Sequence, residues 1–507
     1  MADLDSTSEG APTKREHSGW GETSARSAAR RGHAPAVGGR ALVVDLDGTL
    51  VATDLLIETA VLSLTHHPTS ALGMLRALVR GKAAVKQHCA ERAAIDPGAL
   101  PYRPEVLAAI ERAREDGRPV YLASASNARI VATIASHLGL FAGWYASDGT
   151  TNLAGRNKAT LMVQEFGTGG FDYIGNDAAD MAVWKVSAKA LTVNASGDVE
   201  RRLQRLGIER EPLLRSNASW RAWLRMLRVH QYAKNLLVFV PLFAAHLLQA
   251  HAVLAAVAAF VAFCLAASSS YILNDLVDLQ DDRGHRSKRH RPLASGAVPL
   301  VHGLLASPLL LFAAIAIAAA ISLPFLVLLV GYFVLTTAYS YSLKRKMLVD
   351  VIVLAGLYTI RIVGGAVAVN VVVSAWLLTF SIMIFTSLAL IKRYVEVAAR
   401  KDANLPELTG RNYKNSDLNT IAALAAASGF NAITIFTLYI SSDAVHKLYA
   451  RPELLWLIGP LLIYWVARAL MMASRGMMHD DPVVFALMDR RSLLTVGAIA
   501  LVILAAA

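Results

Sequence analysis

Hydrophobic positions follow two patterns, and they change over near residue 225. Before it, apolar residues come in short runs separated by mixed stretches: ALVVD from Ala41, RPVYLAS at 118–124, FAGWYAS at 141–147, FDYIG at 171–175 and KALTVN at 189–194. Short apolar strands spaced by helical segments predict an α/β fold, a doubly wound parallel sheet covered on both faces. The stretch 54–100 is too long for a simple crossover and predicts a small helical cap inserted after the first strand. After Pro212, SNASWRAWLRMLRVHQYAKN sets Trp220 and Trp223 among basic residues, the pattern of an interfacial helix lying on a membrane. Beyond it the runs lengthen. Candidate spans fall near 235–250, 252–274, 299–319, 322–342, 350–370, 374–391, 418–440, 452–472 and 492–507, most near the roughly 20 residues a bilayer requires. That predicts about nine membrane helices, with Ser-Leu-Pro at 322–324 dividing the 299–342 run in two. The expected organisation is a disordered tail at 1–38, an α/β domain at 39–212, an amphipathic linker at 213–234 and an all-α polytopic membrane domain at 235–507.

Composition agrees with a chain partly in lipid: 55% of its 507 residues are hydrophobic and 17% charged, with mean hydropathy +0.43. The net charge of +12 would suggest nucleic acid in a soluble protein. Here Lys and Arg concentrate in the loops at 276–298, 343–349, 392–417 and 473–491, Arg411 among them, while the opposite loops hold little beyond Lys447 and Arg451. Topology accounts for that charge, so no nucleic-acid partner is expected, and the basic side is cytoplasmic. An odd number of spans puts the α/β domain on that side too, in a multi-pass inner (plasma) membrane protein. Cys89 and Cys264 stand far apart with no zinc spacing, which argues against a disulfide framework or a zinc site. Five acids in the first 22 residues argue against a transit peptide, and there is no secretory apolar region. Oligomeric state is left open.

In the α/β half, Asp45-Leu46-Asp47-Gly48-Thr49 follows the first strand directly, so two carboxylates emerge at the sheet's C-terminal end, where ligands bind. One carboxylate can attack a phosphate ester while the other trades protons with the leaving group. This motif resembles that of the haloacid dehalogenase superfamily, a likeness running from about 41 to 210. The resemblance implies Asp45 as nucleophile, Asp47 as general acid/base, Ser124 as phosphate-binding hydroxyl and Lys158 as the cation that screens phosphate. It also implies Mg²⁺ on Asp45, Asp47, Asp177 and Asp180. The family's Gly-Asp-x-x-x-Asp reads Gly175-Asn176-Asp177-Ala178-Ala179-Asp180 here, with a neutral Asn176 where an acid is expected.

In the membrane half the sharpest signal is Asn274-Asp275-Leu-Val-Asp278-Leu-Gln-Asp281-Asp282 at the end of the second expected span. On a continuous helix Asn274, Asp278 and Asp282 line one face. Carboxylates there are costly unless they hold something positive, most simply Mg²⁺ bridging a diphosphate. The motif resembles that of the UbiA-type prenyltransferase superfamily, from about 225 to 507. This implies Asn274, Asp275, Asp278 and Asp282 as metal ligands, Asp278 and Asp282 central to catalysis, and Asp350 sharing the metal. Most members carry a second DxxxD, whereas here Asp350 is followed by Leu354. Arg361 lies in an otherwise apolar span, where a buried arginine wants an anion.

That departure is similar to the branch that transfers phosphoribose from phosphoribosyl diphosphate to a polyprenyl phosphate. It is the expected reaction, and Arg228, Lys234, Lys288, Arg289, Arg291, Tyr341, Lys344, Arg361, Lys392 and Arg393 are the expected substrate-binding residues. Arg475 through His479-Asp480-Asp481 adds to the likeness. The product would keep a 5-phosphate that the α/β domain could remove. The alternative is an aromatic or quinone prenyltransferase using isoprenyl diphosphate, with a regulatory or inactive α/β module.

Overall fold

The computed structural model describes residues 31–32, 39–66, 69–93, 95–148, 152–215, 219–402, 412–478 and 482–506. Most of the expected tail at 1–38 lies outside them, as do Arg411 and His479-Asp480-Asp481. The chain divides into two units, Met1–Asn217 and Ala218–Ala507.

In the first unit seven strands, β1 (Arg31–Gly32), β2 (Ala41–Val44), β3 (Val120–Asn127), β4 (Gly143–Ser147), β5 (Phe171–Gly175), β6 (Lys189–Val193) and β7 (Arg210–Leu214), form one sheet in the order β1-β4-β3-β2-β5-β6-β7. Every pairing is parallel except β1 with β4. The five expected strands are present, and β1 and β7 extend the edges. Alternation along β2 feeds two cores. Leu42 and Val44 join Leu122, Val106 and Ile110 on one face, whereas Ala41 and Val43 join Met162, Trp184 and Leu203 on the other.

Helices α1 (Leu55–His66), α2 (Ser70–Val79) and α3 (Lys82–Arg92) form the inserted cap. They are followed by α4 (Pro104–Glu115), α5 (Ala128–Leu138), α6 (Arg156–Phe166), α7 (Met181–Trp184) and α8 (Gly197–Arg205). The start of α5 is fixed by Asn127, whose side chain accepts from the Arg129 amide, and its end by Gly139 at φ 63°.

The second unit is helical. It begins with α9 (Trp220–Leu227), a 3₁₀ run at Val229–Phe239, α10 (Val240–Ala244), α11 (Ala250–Val277) and α12 (Leu279–Gly284). Then come α13 (Leu300–Ile321), α14 (Leu323–Tyr341), α15 (Val349–Ala368), α16 (Ala375–Asp402), α17 (Leu418–Ile440), α18 (Asp443–Leu448), α19 (Ile458–Ser474), α20 (Pro482–Met488) and α21 (Arg490–Ala506). Trp220, Trp223 and Leu224 of α9 are exposed beside buried Ala222 and Met226, the amphipathic pattern expected of it. Ser322 caps α14 by accepting from the Phe325 amide at 3.2 Å, which separates α13 from α14.

Among the described residues, seven helical stretches rather than nine are long and apolar enough to cross a membrane: α11, α13, α14, α15, α16, and those at Asn415–Ile440 and Pro452–Ser474. The expected first span is instead the 3₁₀ run and the five-residue α10, with polar Lys234 and Asn235 buried in it. The expected last span is α21, 17 residues long, which at 1.5 Å per residue reaches about 26 Å of a roughly 30 Å core. The 3₁₀ run lies directly on α15: a Cβ on Gly365 would come 2.0 Å from the Val238 carbonyl oxygen.

Candidate functional site

The turn after β2 carries Asp45, Asp47, Gly48 and Thr49 to the C-terminal edge of the sheet, between β3 and β5. Asp45 is buried, with Oδ1 accepting from Lys158 Nζ at 2.6 Å and Oδ2 from Thr49 Oγ1 at 3.1 Å. Burial pushes its carboxyl up to about 7 against the pull of Lys158. Lys158, on α6, also donates to the Tyr173 hydroxyl at 2.9 Å. Asp47 faces the other way: Oδ2 accepts from Ser124 at 2.9 Å and Ser126 at 2.7 Å, and Oδ1 from the Leu55 amide at the start of the cap, 2.9 Å. Ser124, expected to bind phosphate, therefore holds Asp47. Held by two hydroxyls and an amide, Asp47 has partners that suit a proton carrier.

Two further expectations on this edge are corrected. Asp180 is not placed as a metal ligand. The 3₁₀ turn at Ala178–Asp180 folds it back under its own loop, where it accepts from the Tyr173 hydroxyl at 2.8 Å, the Asn176 amide at 2.9 Å and the Asp177 amide at 3.3 Å. The exposed Asp177 caps that turn through the Ala179 amide at 2.6 Å. Asn176 is the residue brought to Asp45: its Oδ1 lies 3.3 Å from Thr49 Oγ1, the hydroxyl that also contacts Asp45. Gly48 makes room for it. Gly48 sits at φ +73°, and a Cβ there would come 2.3 Å from Asn176 Nδ2. Asp45 Oδ2 and Asn176 Oδ1 are hard oxygen donors converging on one point, and they fit a magnesium ion with one charge fewer than an all-acid set. Sequence reasoning missed Ser126, Tyr173 and Lys86. Lys86 reaches from α3 to the Ala125 carbonyl at 2.6 Å and Asn152 Oδ1 at 3.0 Å, so the cap closes on this edge.

In the helical unit, the acidic motif lies where α11 ends. Asp278 leaves the helix at ψ 16° and α12 restarts after it, so the three residues expected on one face separate into two groups. Asn274 donates to Asp278 Oδ2 at 3.0 Å, with Lys344 Nζ 3.5 Å from the same oxygen. Asp282 instead turns toward Asp275, seven residues back. A single nitrogen, Arg291 Nη1, bridges them at 3.0 Å to Asp275 and 2.6 Å to Asp282, and Arg228 holds Asp275 at 2.5 Å while covering the Tyr271 ring. Asp282 Oδ1 is buried without a hydrogen bond, 3.8 Å from Lys288 Nζ. Burial raises the Asp282 carboxyl despite Arg291. Among the described residues no three His, Cys, Asp or Glu form a ready metal cluster. The orphaned Asp282 oxygen and the shared cationic position between Asp275 and Asp282 nonetheless fit a small dication that takes the place of Arg291 Nη1.

Asp350 is corrected outright. It is 0% exposed, with Oδ1 accepting from Tyr413 at 2.6 Å and Oδ2 from Arg393 at 2.5 Å. Arg393, likewise 0% exposed, also donates to Glu396 at 2.5 Å and Tyr339 at 3.0 Å. In this arrangement both side chains are spent on each other and on Tyr413, Tyr339 and Glu396. They form an internal clasp between α15 and α16, because Asp350 opens α15 in the buried seam between the two helices. Arg361 is also committed: it donates to Asn235 Oδ1 at 2.7 Å, to Tyr332 at 2.9 Å and to the Leu357 carbonyl, with its guanidinium over the Tyr332 and Tyr358 rings. Buried Lys234 lies over the same Tyr358 ring. Lys392 is half-buried beside the clasp, and Arg289 and Tyr341 are exposed in the loops beyond α12 and at the end of α14.

A bundle of long apolar helices with acids and arginines gathered at one helix end is the architecture of a multi-pass membrane protein, here one that also carries a parallel α/β unit. The particular family follows from comparison: residues 236–488 match the UbiA prenyltransferase family, and the chain belongs to it. It is 38% identical over 455 residues, 89% of this chain and 88% of the relative, to the uncharacterized protein y4nM of Sinorhizobium fredii. Nodulation protein NoeC of Azorhizobium caulinodans is 35% identical over 54% of this chain and 89% of its own length. Decaprenyl-phosphate phosphoribosyltransferase of Mycolicibacterium smegmatis is 34% identical over 38% of this chain and 60% of its own. Among solved structures, a UbiA homolog from Archaeoglobus fulgidus bound to GPP and Mg²⁺ covers 56% of this chain and 99% of its own at 18% identity and TM-score 0.44.

Proposed function

We propose that the membrane unit transfers 5-phosphoribose from phosphoribosyl diphosphate to a polyprenyl phosphate, with the basic loops and the α/β unit on the cytoplasmic face of the inner membrane. The observation that carries this reading is the pairing of Asp275 with Asp282 through Arg291, beside Asp278 and Lys344. It gathers alternating acids and cations at one helix end, as a polyanionic donor needs. Two facts favour phosphoribose over an isoprenyl donor: the likeness to the mycobacterial phosphoribosyltransferase, and the absence of a usable second acidic motif, with Asp350 locked away and Leu354 in place of its partner. Magnesium held by Asp275 and Asp282, with the Asn274–Asp278 pair alongside, would neutralise charge on the leaving diphosphate. Arg228, Arg291, Lys288 and Lys344 hold the donor's phosphates. An oxygen of the lipid phosphate attacks ribose C1 as the C1–O bond to diphosphate breaks, and no general base is needed because the acceptor is already an anion.

The first unit is read as a haloacid dehalogenase-like phosphatase that removes the 5-phosphate. Asp45 attacks phosphorus, the ester P–O bond breaks, and Asp47, oriented by Ser124 and Ser126, gives its proton to the departing alkoxide. Water then cleaves the aspartyl phosphate with Asp47 taking a proton back. Lys158 screens the phosphate, and magnesium at Asp45 and Asn176 would add to that screening. Fusion raises the local concentration of the shared intermediate. The test incubates purified protein with Mg²⁺, labelled phosphoribosyl diphosphate and a polyprenyl phosphate. Label entering the lipid phase and lost in Asp278→Ala supports the transferase. Free phosphate lost in Asp45→Asn supports the phosphatase. Turnover of isoprenyl diphosphate with an aromatic acceptor instead would overturn both the donor and the acceptor.

A further inference from the structure

The cap helix α2 is built inside out. Its side toward the domain carries Ser70 and Ala77, both buried, with Ser70 Oγ bonded to Ser63 Oγ at 2.7 Å and to His88 Nε2 at 3.2 Å. Its outward side carries Leu72, Leu78 and Val79, which are 65%, 63% and 89% exposed. An amphipathic helix on a water-facing surface has the reverse arrangement. On α4 it does: Val106 and Ile110 are buried, and Glu105, Glu111 and Arg114 face out. Three large apolar side chains on adjoining turns, extended by exposed Leu64 on α1, form an apolar patch with no partner among the described residues.

The charges around the patch select what covers it. Arg76 and Arg80 are exposed along its margin, and α2 itself carries no Asp or Glu. An apolar strip flanked by arginines is the surface of a helix that lies in the headgroup layer of an anionic bilayer. At ten residues, about 15 Å long, α2 is too short to span one. A bilayer is also the surface this unit has at hand, because seven stretches among the described residues of the same chain are long and apolar enough to cross one. Tethering turns weak interfacial affinity into stable occupancy.

We infer that α2 is a membrane-interface helix, with Leu72, Leu78 and Val79 inserted among acyl chains and Arg76 and Arg80 on lipid phosphates. Docking then gives the Asp45 edge a lipid-facing entrance, since α2 packs on α3, whose Lys86 reaches Ala125 at that edge. This benefit rests on the phosphatase reading, whereas the docking does not. The test therefore reads contact with lipid and not turnover.

Full-length protein bearing Val79→Cys is labelled with an environment-sensitive fluorophore and reconstituted in vesicles of phosphatidylcholine and phosphatidylglycerol. Glu111→Cys on α4 is the control, and unsubstituted protein measures background from Cys89 and Cys264, both buried. Shallow spin-labelled lipid is expected to quench the Val79 probe severalfold more than the Glu111 probe. Adding Leu72→Glu and Leu78→Glu should abolish the difference, and Arg76→Glu with Arg80→Glu should weaken it in anionic vesicles only. Equal quenching at both positions overturns the inference. So does a blue-shifted Val79 probe that lipid does not quench, since protein would then cover the patch. Both of these outcomes are measured on a helix that carries no glutamate substitution, so misfolding of a glutamate variant cannot blur them.

Discussion

Replacing Asp350 by Asn separates two accounts of that residue. As a metal ligand, its loss would silence transfer and leave the fold intact. As the clasp seen here, its loss strips Arg393 of one charged partner while the guanidinium stays fully buried. Two short charge-assisted bonds disappear or weaken, from Arg393 and from Tyr413, each worth about 1.5–3 kcal/mol. Removing one partner of a buried pair costs roughly 3–5 kcal/mol. Because Glu396 still accepts from Arg393 and is 30% exposed, the lower end applies, about 3 kcal/mol. At around 2 °C per kcal/mol for a large unit, the melting temperature should fall by roughly 6 °C. The measurement is intrinsic-fluorescence melting in detergent, with lipid labelling on the same sample below the transition. A double variant, Asp350→Leu with Arg393→Met, should be more stable than either single one, because no charge is then left unpaired in the seam. Unchanged melting in Asp350→Asn together with lost transfer would refute the clasp and restore Asp350 to the metal site.

Asp45→Asn should abolish phosphate release while lipid labelling continues at the parental rate, measured in one assay by phase separation. Gly48→Ala forces a Cβ into the Asn176 amide and strains a positive φ. Phosphate release should therefore fall at least tenfold, while the cost in stability stays near 1 kcal/mol, as read by melting. Lys158→Met removes the cation that holds the buried Asp45 carboxyl down, so the pKa of that group moves above about 7. The acid limb of kcat/KM on a soluble phosphate ester should then shift to higher pH, because only ionised Asp45 attacks. Arg291→Met leaves Asp275 and Asp282 facing each other without their bridge, so magnesium no longer has to displace Nη1 and transfer should require less metal for half-maximal rate, seen by titrating it.

The strands were legible because a fully buried strand reads as an unbroken apolar run, as ALVV does. Spans such as α13 and α14 were legible because length alone decides them. The first expected span was misread because apolar content hides helix type: Val229–Phe239 winds as 3₁₀ and buries Lys234 and Asn235 against α11 and α15, partners far away in sequence. The acids at 274–282 were visible, but not their partition, since no proline or glycine announces the break at Asp278. Asp350 looked like a metal ligand because its partners, Arg393 and Tyr413, lie 43 and 63 residues on. In FDYIG, Tyr173 reads as core, and nothing local tells that its hydroxyl joins Lys158 to Asp180. For α2, periodicity gives an apolar face but cannot say that the face turns outward.

The seat of the 3₁₀ run on α15 also bears on how the protein is made. Asn235 meets Arg361 across 126 residues of chain, and Val238 rests on the bare backbone of Gly365. At about 5–20 residues per second, some 6–25 s of synthesis separate the first of these groups from the second. For that interval the segment, short and carrying a lysine, has no stable place in the hydrocarbon, so it must wait at the water interface until α15 arrives. Insertion of the membrane unit thus cannot proceed strictly in chain order, and this early segment is seated only after α11, α13 and α14 have been made.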